Sequence, residues 1–570
     1  MRRISESTCL LVGLILLWCL SRRYVFVLDD AFISLRYARN LVSGYGLVYN
    51  PGLPPVEGYT NFLWVLLEAC VVPFTPWPEH WLVLFDTIAG LLVVVAVWWE
   101  LIRRDLSSSL WVWLGVLLVA GHETLAAWMG GGLETTLFML LVTCAVARFL
   151  REEFHALPGS WSALPLGLAL LTRPEAYLVL VVLGAVRCAR TLVSRSGRGI
   201  SSLMRWLGLC AAFGVPHLIF RRVYYGEWVP NTSFVKVSAP YFDSGLPYLQ
   251  IFCRANYLSV VLLATVLVAG LAACRRGGSF AGDRAVLSLL VILWFTYVAY
   301  AGGDHFEFRL LAPTVPLLAL LFALSANDAW SVASRLSSGR PAVLARFAVL
   351  LVGAALVSRT LITSVRLDFA EALFRLRILS ANGLAHANYA DMWRPAGEWL
   401  KRFALPTERI SVPAAGIIPW ESNLLTLDLH GLNDRTIAHR PLLFHGVLAH
   451  EKTGTWEDVL AFGVTYHVDD LHFRAEPGAF GQRVLADNSR VVVQLPTHSW
   501  MNFGSPTDPD LLRRTLRLRG ARVFPGPNES ETSLPAETPE HRERFEAWAT
   551  AVATENHLRH ASAFFRATPR

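Results

Sequence analysis

Two adjacent carboxylates, Asp29 and Asp30, stand directly after the first apolar segment of the chain, and Arg36, Arg39, Tyr37, Tyr45 and Tyr49 follow them closely. A partly desolvated, hydrogen-bonded carboxylate at a membrane face can take a proton from an acceptor hydroxyl. An acidic cap on a membrane span is the plainer reading. Neighbours on a helix diverge by about 100°, so one aspartate of the two points into any site. Further along, Glu57 precedes "GYTNFLW" (Gly58 to Trp64), where Tyr59 and Asn61 combine with it into a set suited to sugars. Planar side chains pack on sugar C–H faces, while amides and carboxylates bind hydroxyls. In "GGGLETTLF" (Gly130 to Phe138), Glu134 follows three glycines that permit close backbone approach.

Three segments carry the cations that a phosphate would need. "YYGEWVPNTSFVKV" (Tyr224 to Val237) holds Lys236, the first of only three lysines, with Lys401 and Lys452, in a chain that otherwise uses arginine. A lone ammonium suits a phosphate, and Asn231 in the same segment is a candidate substrate ligand. Asn231-Thr232-Ser233 also spells a glycosylation sequon, which we attribute to chance. "GGDHFEFRLLAPTVPLL" (Gly302 to Leu318) sets Asp304, His305, Glu307 and Arg309 between two apolar runs. His305 or Arg309 can stabilise a departing phosphate that Asp304 orients, and Arg173 in "LLTRPEAYL" adds a further guanidinium. No GxGxxG, P-loop, HExxH or GxSxG motif stands in a suitable context. The eight cysteines form no CxxC or His/Cys spacing, so neither a disulfide framework nor a metal site is expected, and no spacing calls for a divalent ion.

Composition says what must hold these residues. The chain has 570 residues, 54% hydrophobic and 17% charged, with 20 tryptophans, more apolar surface than one water-soluble domain buries. The net charge of +7 is distributed as arginine clusters between apolar runs rather than as a basic stripe with interleaved aromatics, which argues against nucleic acid. A multi-pass membrane protein follows.

With spans of about 20 apolar residues, the clearest are Leu106 to His122, Ala255 to Ala273, Ala285 to Ala301 and Leu310 to Asn327. Weaker ones cover 8–21, 80–101, 135–149, 161–172, 175–188, 206–220 and 342–364, about eleven in all. Tyr59 to Phe74 is ended by Pro73, Pro76 and Pro78 and reads as a partial, interfacial helix. With the N-terminus in the cytoplasm, every arginine-rich loop falls on one side, namely Arg2-Arg3, Arg103-Arg104, Arg148 to Arg151, Arg187 to Arg205, Arg275 to Arg284 and Arg335 to Arg346. All the polar segments described above then share the other face. "ALPLGLALLTRPEAYLVLVVLG" reads as two short helices turning at Arg173-Pro174. One long helix would bury Arg173 and Glu175 at about 2.5–3.5 kcal/mol per charge.

After residue 365 the apolar runs stop. "RISVPAAGIIPW", "LLTLDLHGLND", "GVTYHVDD" and "RVVVQLP" are β-prone runs between helical stretches, which predicts a small extracytoplasmic α/β domain over 366–503 behind a transmembrane module over 1–365. Residues 504–570 read as a partly disordered linker and surface helix.

Taken in order, "LDDAFISLRYARNLVSGYGLVYNP", "VEGYTNFLW", "GLETTLF", "TRPEAYL", "YYGEWVPNTSFVKV", "GGDHFEFRLLAPTVPLL" and "LHGLNDRTIAH" resemble a bacterial family of multi-pass GT-C glycosyltransferases. This family includes the mycobacterial terminal β-arabinofuranosyltransferase of the cell-wall arabinan, and the likeness runs from about residue 20 to 470. It implies a bacterial cytoplasmic-membrane helical bundle, an active site at the outer leaflet and a polyprenyl-phosphate sugar as donor; the sequence itself requires no other cofactor, although a divalent ion bridging phosphate and carboxylates is conceivable. It also implies a catalytic carboxylate in the first outer loop, which maps to Asp29 or Asp30. The donor phosphate would then meet Lys236, His305, Arg309 and Arg173. Glu57, Tyr59, Asn61, Glu134, Asn231 and Asp304 would bind the sugar or order the loops, and the acceptor would be a glycan or other hydroxyl. Arabinofuranose is one candidate sugar that no residue singles out. Two other classes stay open, a flippase for lipid-linked sugar and a noncatalytic envelope-assembly protein. The first predicts charges near the bilayer midplane, whereas here they gather at one face.

Overall fold

A computed structural model describes residues 2–22, 24, 27–104, 106–155, 157–194, 197–236, 240–256, 279–304, 308–335, 340–366, 389–442, 452–472, 490–495, 500–504 and 509–524. Among the described residues of the first part of the chain the regular elements are all helices. The elements are α1 (Arg2–Ser21), α2 (Asp29–Val42), α3 (Phe62–Val71), α4 (Pro78–Ile102), α5 (Leu110–Ala120), α6 (Glu123–Trp128), α7 (Thr135–Phe154) and α8 (Ala163–Thr172). They continue with α9 (Ala176–Ser194), α10 (Gly197–Tyr224), α11 (Asn231–Lys236), α12 (Phe242–Asn256), α13 (Ser279–Ala301), α14 (Thr314–Arg335) and α15 (Arg340–Arg366).

Among the described residues, five helices are long and apolar enough to cross a membrane: Arg3–Ser21, Pro78–Ile102, Ala176–Val193, Gly199–Tyr224 and Gly282–Ala301. That is fewer than the eleven spans expected, for identifiable reasons. Leu110–Ala120 and Ala163–Thr172 are apolar but short, about 15 Å of helix at 1.5 Å per residue. Helix α7 ends in Arg148, Arg151, Glu152 and Glu153. Along α14 the apolar run from Val315 to Leu324 gives way to Ser325, Asn327 and Asp328 within the helix. The expected span over 255–273 lies almost wholly outside the described residues.

Proline punctuation acts as the sequence implies. Helix α3 runs on as a 3-10 turn over Val72–Phe74 and stops, and Pro78 opens α4 at its first turn. Between α8 and α9 the chain breaks at Arg173, which is extended at φ −153°, ψ 146° because the following proline disfavours a helical residue there. At the helix ends away from Asp30, Arg104 bonds Glu100 and Asp283, tying α4 to α13, and Arg187 bonds Glu152 and Glu153, tying α9 to α7.

The remainder folds around a five-stranded mixed sheet. Helix α16 (Tyr389–Phe403) leads into β1 (Arg409–Val412), α17 (Ile417–Ser422), β2 (Leu425–Asp428), α18 (Arg435–Ala438), α19 (Trp456–Phe462), β3 (Tyr466–His472), β4 (Arg490–Gln494), β5 (Trp500–Gly504) and α20 (Pro509–Leu518). The strand order is β2-β1-β3-β5-β4, with β2, β1 and β3 parallel and β5 antiparallel to both β3 and β4. The four β-prone runs each supply a strand, and Trp500–Gly504 is a fifth that the sequence reading did not single out. Residues past 503 continue the packed structure. Leu512 and Leu516 of α20 are buried, and the Gln494 N–H donates to Arg522 O at 3.0 Å. The rest of the expected linker and surface helix, from 525 on, lies outside the described residues.

This domain is joined to the helical part by a buried polar seam built largely from residues 29–50. Asn50 exchanges hydrogen bonds with Thr426, through Nδ2 to Thr426 O (2.8 Å) and Oδ1 from Thr426 N–H (3.0 Å). Tyr49 Oη donates to Ala415 O at 2.6 Å. Arg36 donates to Tyr49 O (2.8 Å), Leu424 O (2.7 Å) and Pro419 O. On a neighbouring surface Arg394 of α16 bonds Glu79 at the start of α4 (2.9 Å) and Glu421.

Candidate functional site

Helix α2 begins with both aspartates in its first turn, where the N-terminal dipole favours negative charge, and carries Arg39 in its last. The angular offset between neighbours sends the two carboxylates to different surroundings. Asp29 is buried and accepts the N–H groups of Gly416 (2.9 Å) and Ile417 (2.8 Å) from the C-terminal domain. Burial, with the adjacent Asp30 charge, pushes the Asp29 carboxyl up to about 7 against the pull of those two N–H groups. Asp30, half-buried, lines a cavity of about 160 Å³.

Residues that are far apart in the chain meet around that cavity. Ile33 and Ser34 share the face of Asp30 at the helical spacings i+3 and i+4. The loop from Gly58 to Asn61, the α8–α9 turn at Arg173, Pro174 and Glu175, and Thr232, Ser233 and Lys236 of α11 form further walls. Tyr297, Ala301, Gly303, Asp304, Arg309 and Leu310 close another side, and Leu432 is the one lining residue from the C-terminal domain among the described residues.

Beneath the wall lies Glu134, fully buried at the N-terminal end of α7. Its carboxylate accepts from Asn61 Nδ2 (2.8 Å), Arg173 Nη1 (2.5 Å) and Arg309 Nη2 (2.8 Å). Burial alone would raise this carboxyl, but the Arg309 and Arg173 guanidiniums outweigh it and hold Glu134 down at about 2. Arg173 grips Glu175 as well, through Nε (3.0 Å) and Nη2 (2.8 Å). Asn61 passes on to Ser34 Oγ at 3.1 Å. The two arginines and two glutamates therefore neutralise one another as a rigid floor. Lys236, in contrast, makes no ion pair or hydrogen bond among the described residues and opens on the cavity.

Other expected site residues have different surroundings. Glu57 is outside the cavity lining and pairs with Arg221 of α10 through both oxygens, at 2.6 and 3.1 Å. Its burial pushes the carboxyl up to about 7 in spite of that pairing. Asn231 also stands off the cavity. Its amide donates to Gly431 O (2.8 Å) and Leu432 O (3.0 Å), so it holds the loop that carries Leu432. Tyr59 reaches the cavity while its hydroxyl meets that of Tyr225 at 3.0 Å. His305 and Glu307 lie outside the described residues.

Ser34, Glu175, Thr232, Ser233, Tyr297 and Leu432 were not anticipated as site residues. Spacing could have found Ser34, four residues after Asp30 on one helix. Nothing local points to Leu432. Its loop is set by Asp428, which accepts the N–H groups of His430 (3.0 Å) and Asn433 (2.9 Å). The same loop presses on Gly58, where a Cβ would stand 1.9 Å from Asn433 Oδ1. The Gly58 N–H donates to Tyr37 Oη at 2.9 Å, and that hydroxyl donates to Val56 O at 2.6 Å.

A family model described as a domain of unknown function (DUF8728) matches residues 382–504. The chain is 26% identical over 345 residues to the terminal β-(1→2)-arabinofuranosyltransferase of Corynebacterium glutamicum, an alignment that covers 53% of this chain and 48% of that protein. The match thus spans about half the length of the relative. Among solved structures, the oligosaccharyltransferase of Archaeoglobus fulgidus in the apo form superposes with a TM-score of 0.52 at 12% identity, over 88% of this chain and 75% of that one. ArnT from Cupriavidus metallidurans bound to undecaprenyl phosphate gives 0.48 at 13% identity, over 74% and 85%. The chain shares the fold of that oligosaccharyltransferase, and the arabinofuranosyltransferase is a distant relative.

Proposed function

We propose that this protein transfers a sugar from a polyprenyl-phosphate carrier to a hydroxyl of a cell-envelope glycan, at the outer face of the cytoplasmic membrane. The observation that carries the reading is one cavity that takes both Asp30 and Lys236, a carboxylate and an ammonium. In the reaction Asp30 accepts the proton of the acceptor hydroxyl, whose oxygen bonds to the anomeric carbon. The bond from that carbon to the phosphate oxygen breaks, and polyprenyl phosphate leaves with its charge facing Lys236. Arg173 and Arg309, held in place by Glu134 and Glu175, stand in the same wall. Sugar hydroxyls have Ser34, Asn61, Thr232, Ser233 and Asp304 within the same walls. Arabinofuranose is the first donor sugar to try, because the relative at 26% identity transfers it.

The test incubates the purified protein in lipid with radiolabelled polyprenyl-phosphate sugars and an arabinan acceptor. Wild type forms labelled product and Asp30→Asn does not. Full product formation by Asp30→Asn would remove Asp30 as the base, and no product with any donor would remove the transferase reading.

A further inference from the structure

We infer that Asp29 is a positioning residue that lets the C-terminal domain set the direction in which Asp30 enters the cavity; this rests on the role given to Asp30 above. Helix α17 is capped at both ends by side chains of α2. Its leading N–H groups, on Gly416 and Ile417, go to the Asp29 carboxylate. Its trailing carbonyls go to guanidiniums, Pro419 O to Arg36 and Trp420 O to Arg39 at 2.8 Å. An anion thus meets the positive end of the short helix and two cations meet its negative end. The spacing fits: the rise from Asp29 to Arg36 is about 10 Å, and six helical residues span about 9 Å. The two helices therefore lie side by side in the same direction, locked at both ends.

Contact at the Asp29 end is backbone on backbone, since a Cβ at Gly416 would stand 1.9 Å from Asp29 O. With α2 held in this way, its roll about its own axis is constrained on one side by a partner nearly four hundred residues away in the chain, while Asn61 on Ser34 and Gly58 on Tyr37 hold other sides. Roll is what Asp30 is sensitive to. On a helix about 5–6 Å in radius with its side chains, a 10° roll carries a surface carboxylate by about 1 Å. A misplacement of about 1 Å costs roughly 100-fold in rate.

Asp29→Asn keeps one acceptor oxygen but turns an amide NH2 toward the second N–H. The variant is expected to lose about 10- to 100-fold in kcat and to keep the acidic limb of its pH–rate profile in place. Ile417→Pro removes the other half of the same contact at a first helical position, where proline is accepted, without touching the cavity. The two changes act on one clamp, so the double variant falls no further than the poorer single one. Hydrogen exchange supplies a readout independent of turnover. Asp29→Asn loses protection at Gly416 and Ile417, whereas Asp30→Asn keeps it. The inference is overturned by wild-type kcat in Asp29→Asn, by loss of its acidic limb, by multiplicative losses in the double variant, or by unchanged exchange at 416–417. Wild-type protein inactive on every donor, with the exchange result as expected, would instead refute the transferase reading and leave the clamp standing.

Discussion

Replacing Glu134 by glutamine isolates the charge that holds the cavity floor. The side chain is fully buried and keeps nearly the same shape, so packing is little altered. What changes is that Arg173 and Arg309 lose their shared anion, and an NH2 must face one of three donors. A carboxyl brought from its ordinary 4.5 down to about 2 contributes about 3 kcal/mol of stability at neutral pH, at 1.36 kcal/mol per pH unit. Breaking one side of a buried ion pair costs about 3–5 kcal/mol, the same range. The pH dependence has a definite sign. Glu134 is depressed in the folded state, so its contribution is complete above about 4.5 and lost as pH falls through about 2. Denaturant unfolding in detergent, followed at pH 7 and at decreasing pH, should show Glu134→Gln about 3 kcal/mol weaker at pH 7, with the gap to wild type closing over that window. Equal stability at pH 7, or a gap that persists unchanged to pH 2, would refute the assignment of Glu134 as the anion neutralising both arginines.

Lys236→Met should raise the donor KM by about 10- to 100-fold, the loss of one charge-assisted contact of about 1.5–3 kcal/mol, with Lys236→Arg recovering part of it in the same transfer assay. Arg36→Met leaves the carbonyls of Tyr49, Pro419 and Leu424 without this donor, at about 1–3 kcal/mol each. Hydrogen exchange should accordingly speed up across 415–424 while 78–102 stays protected, and uniform loss across both would contradict a local seam. Gly58→Ala drives a methyl into Asn433, so turnover should fall by tenfold or more on the scale of about 1 Å displacements while a lipid-phosphate binding assay stays near wild type. Single cysteines at positions 30 and 304 should react with an impermeant reagent from the same side of the membrane, and reaction from opposite sides would exclude a shared cavity.

Much of this protein is readable from local pattern. Pro76, Pro78 and Pro174 end or open helices by steric rules that act over one or two residues, and the breaks before α4 and between α8 and α9 follow directly. Short β-prone runs between helical stretches show four of the five strands among the described residues. The fifth, Trp500–Gly504, pairs on both sides within the sheet and needs those neighbours to be a strand. The count of spans is less legible, because an apolar run does not say where its helix begins and ends: the run expected over Leu310 to Asn327 forms α14 over Thr314–Arg335, which takes in Asn327 and Asp328.

The site divides along the same line. Sequence by itself brought out the chemically able residues, Asp29, Asp30, Asn61, Glu134, Arg173, Lys236, Asp304 and Arg309, because carboxylates, amides and cations are rare in so apolar a chain and stand out wherever they occur. Only the tertiary structure assigned their partners. Glu57 is claimed by Arg221, 164 residues on, and Asn231 by carbonyls of Gly431 and Leu432, so both serve the walls rather than the cavity. Asp29 and Asp30 are the same residue type in adjacent positions, indistinguishable to any local rule. They part because one faces the N-terminus of a helix supplied by the C-terminal domain and the other faces open space. Helical spacing is set by bonds between near neighbours and survives in the sequence, whereas the pairing of a charge with a distant partner is decided when the chain packs.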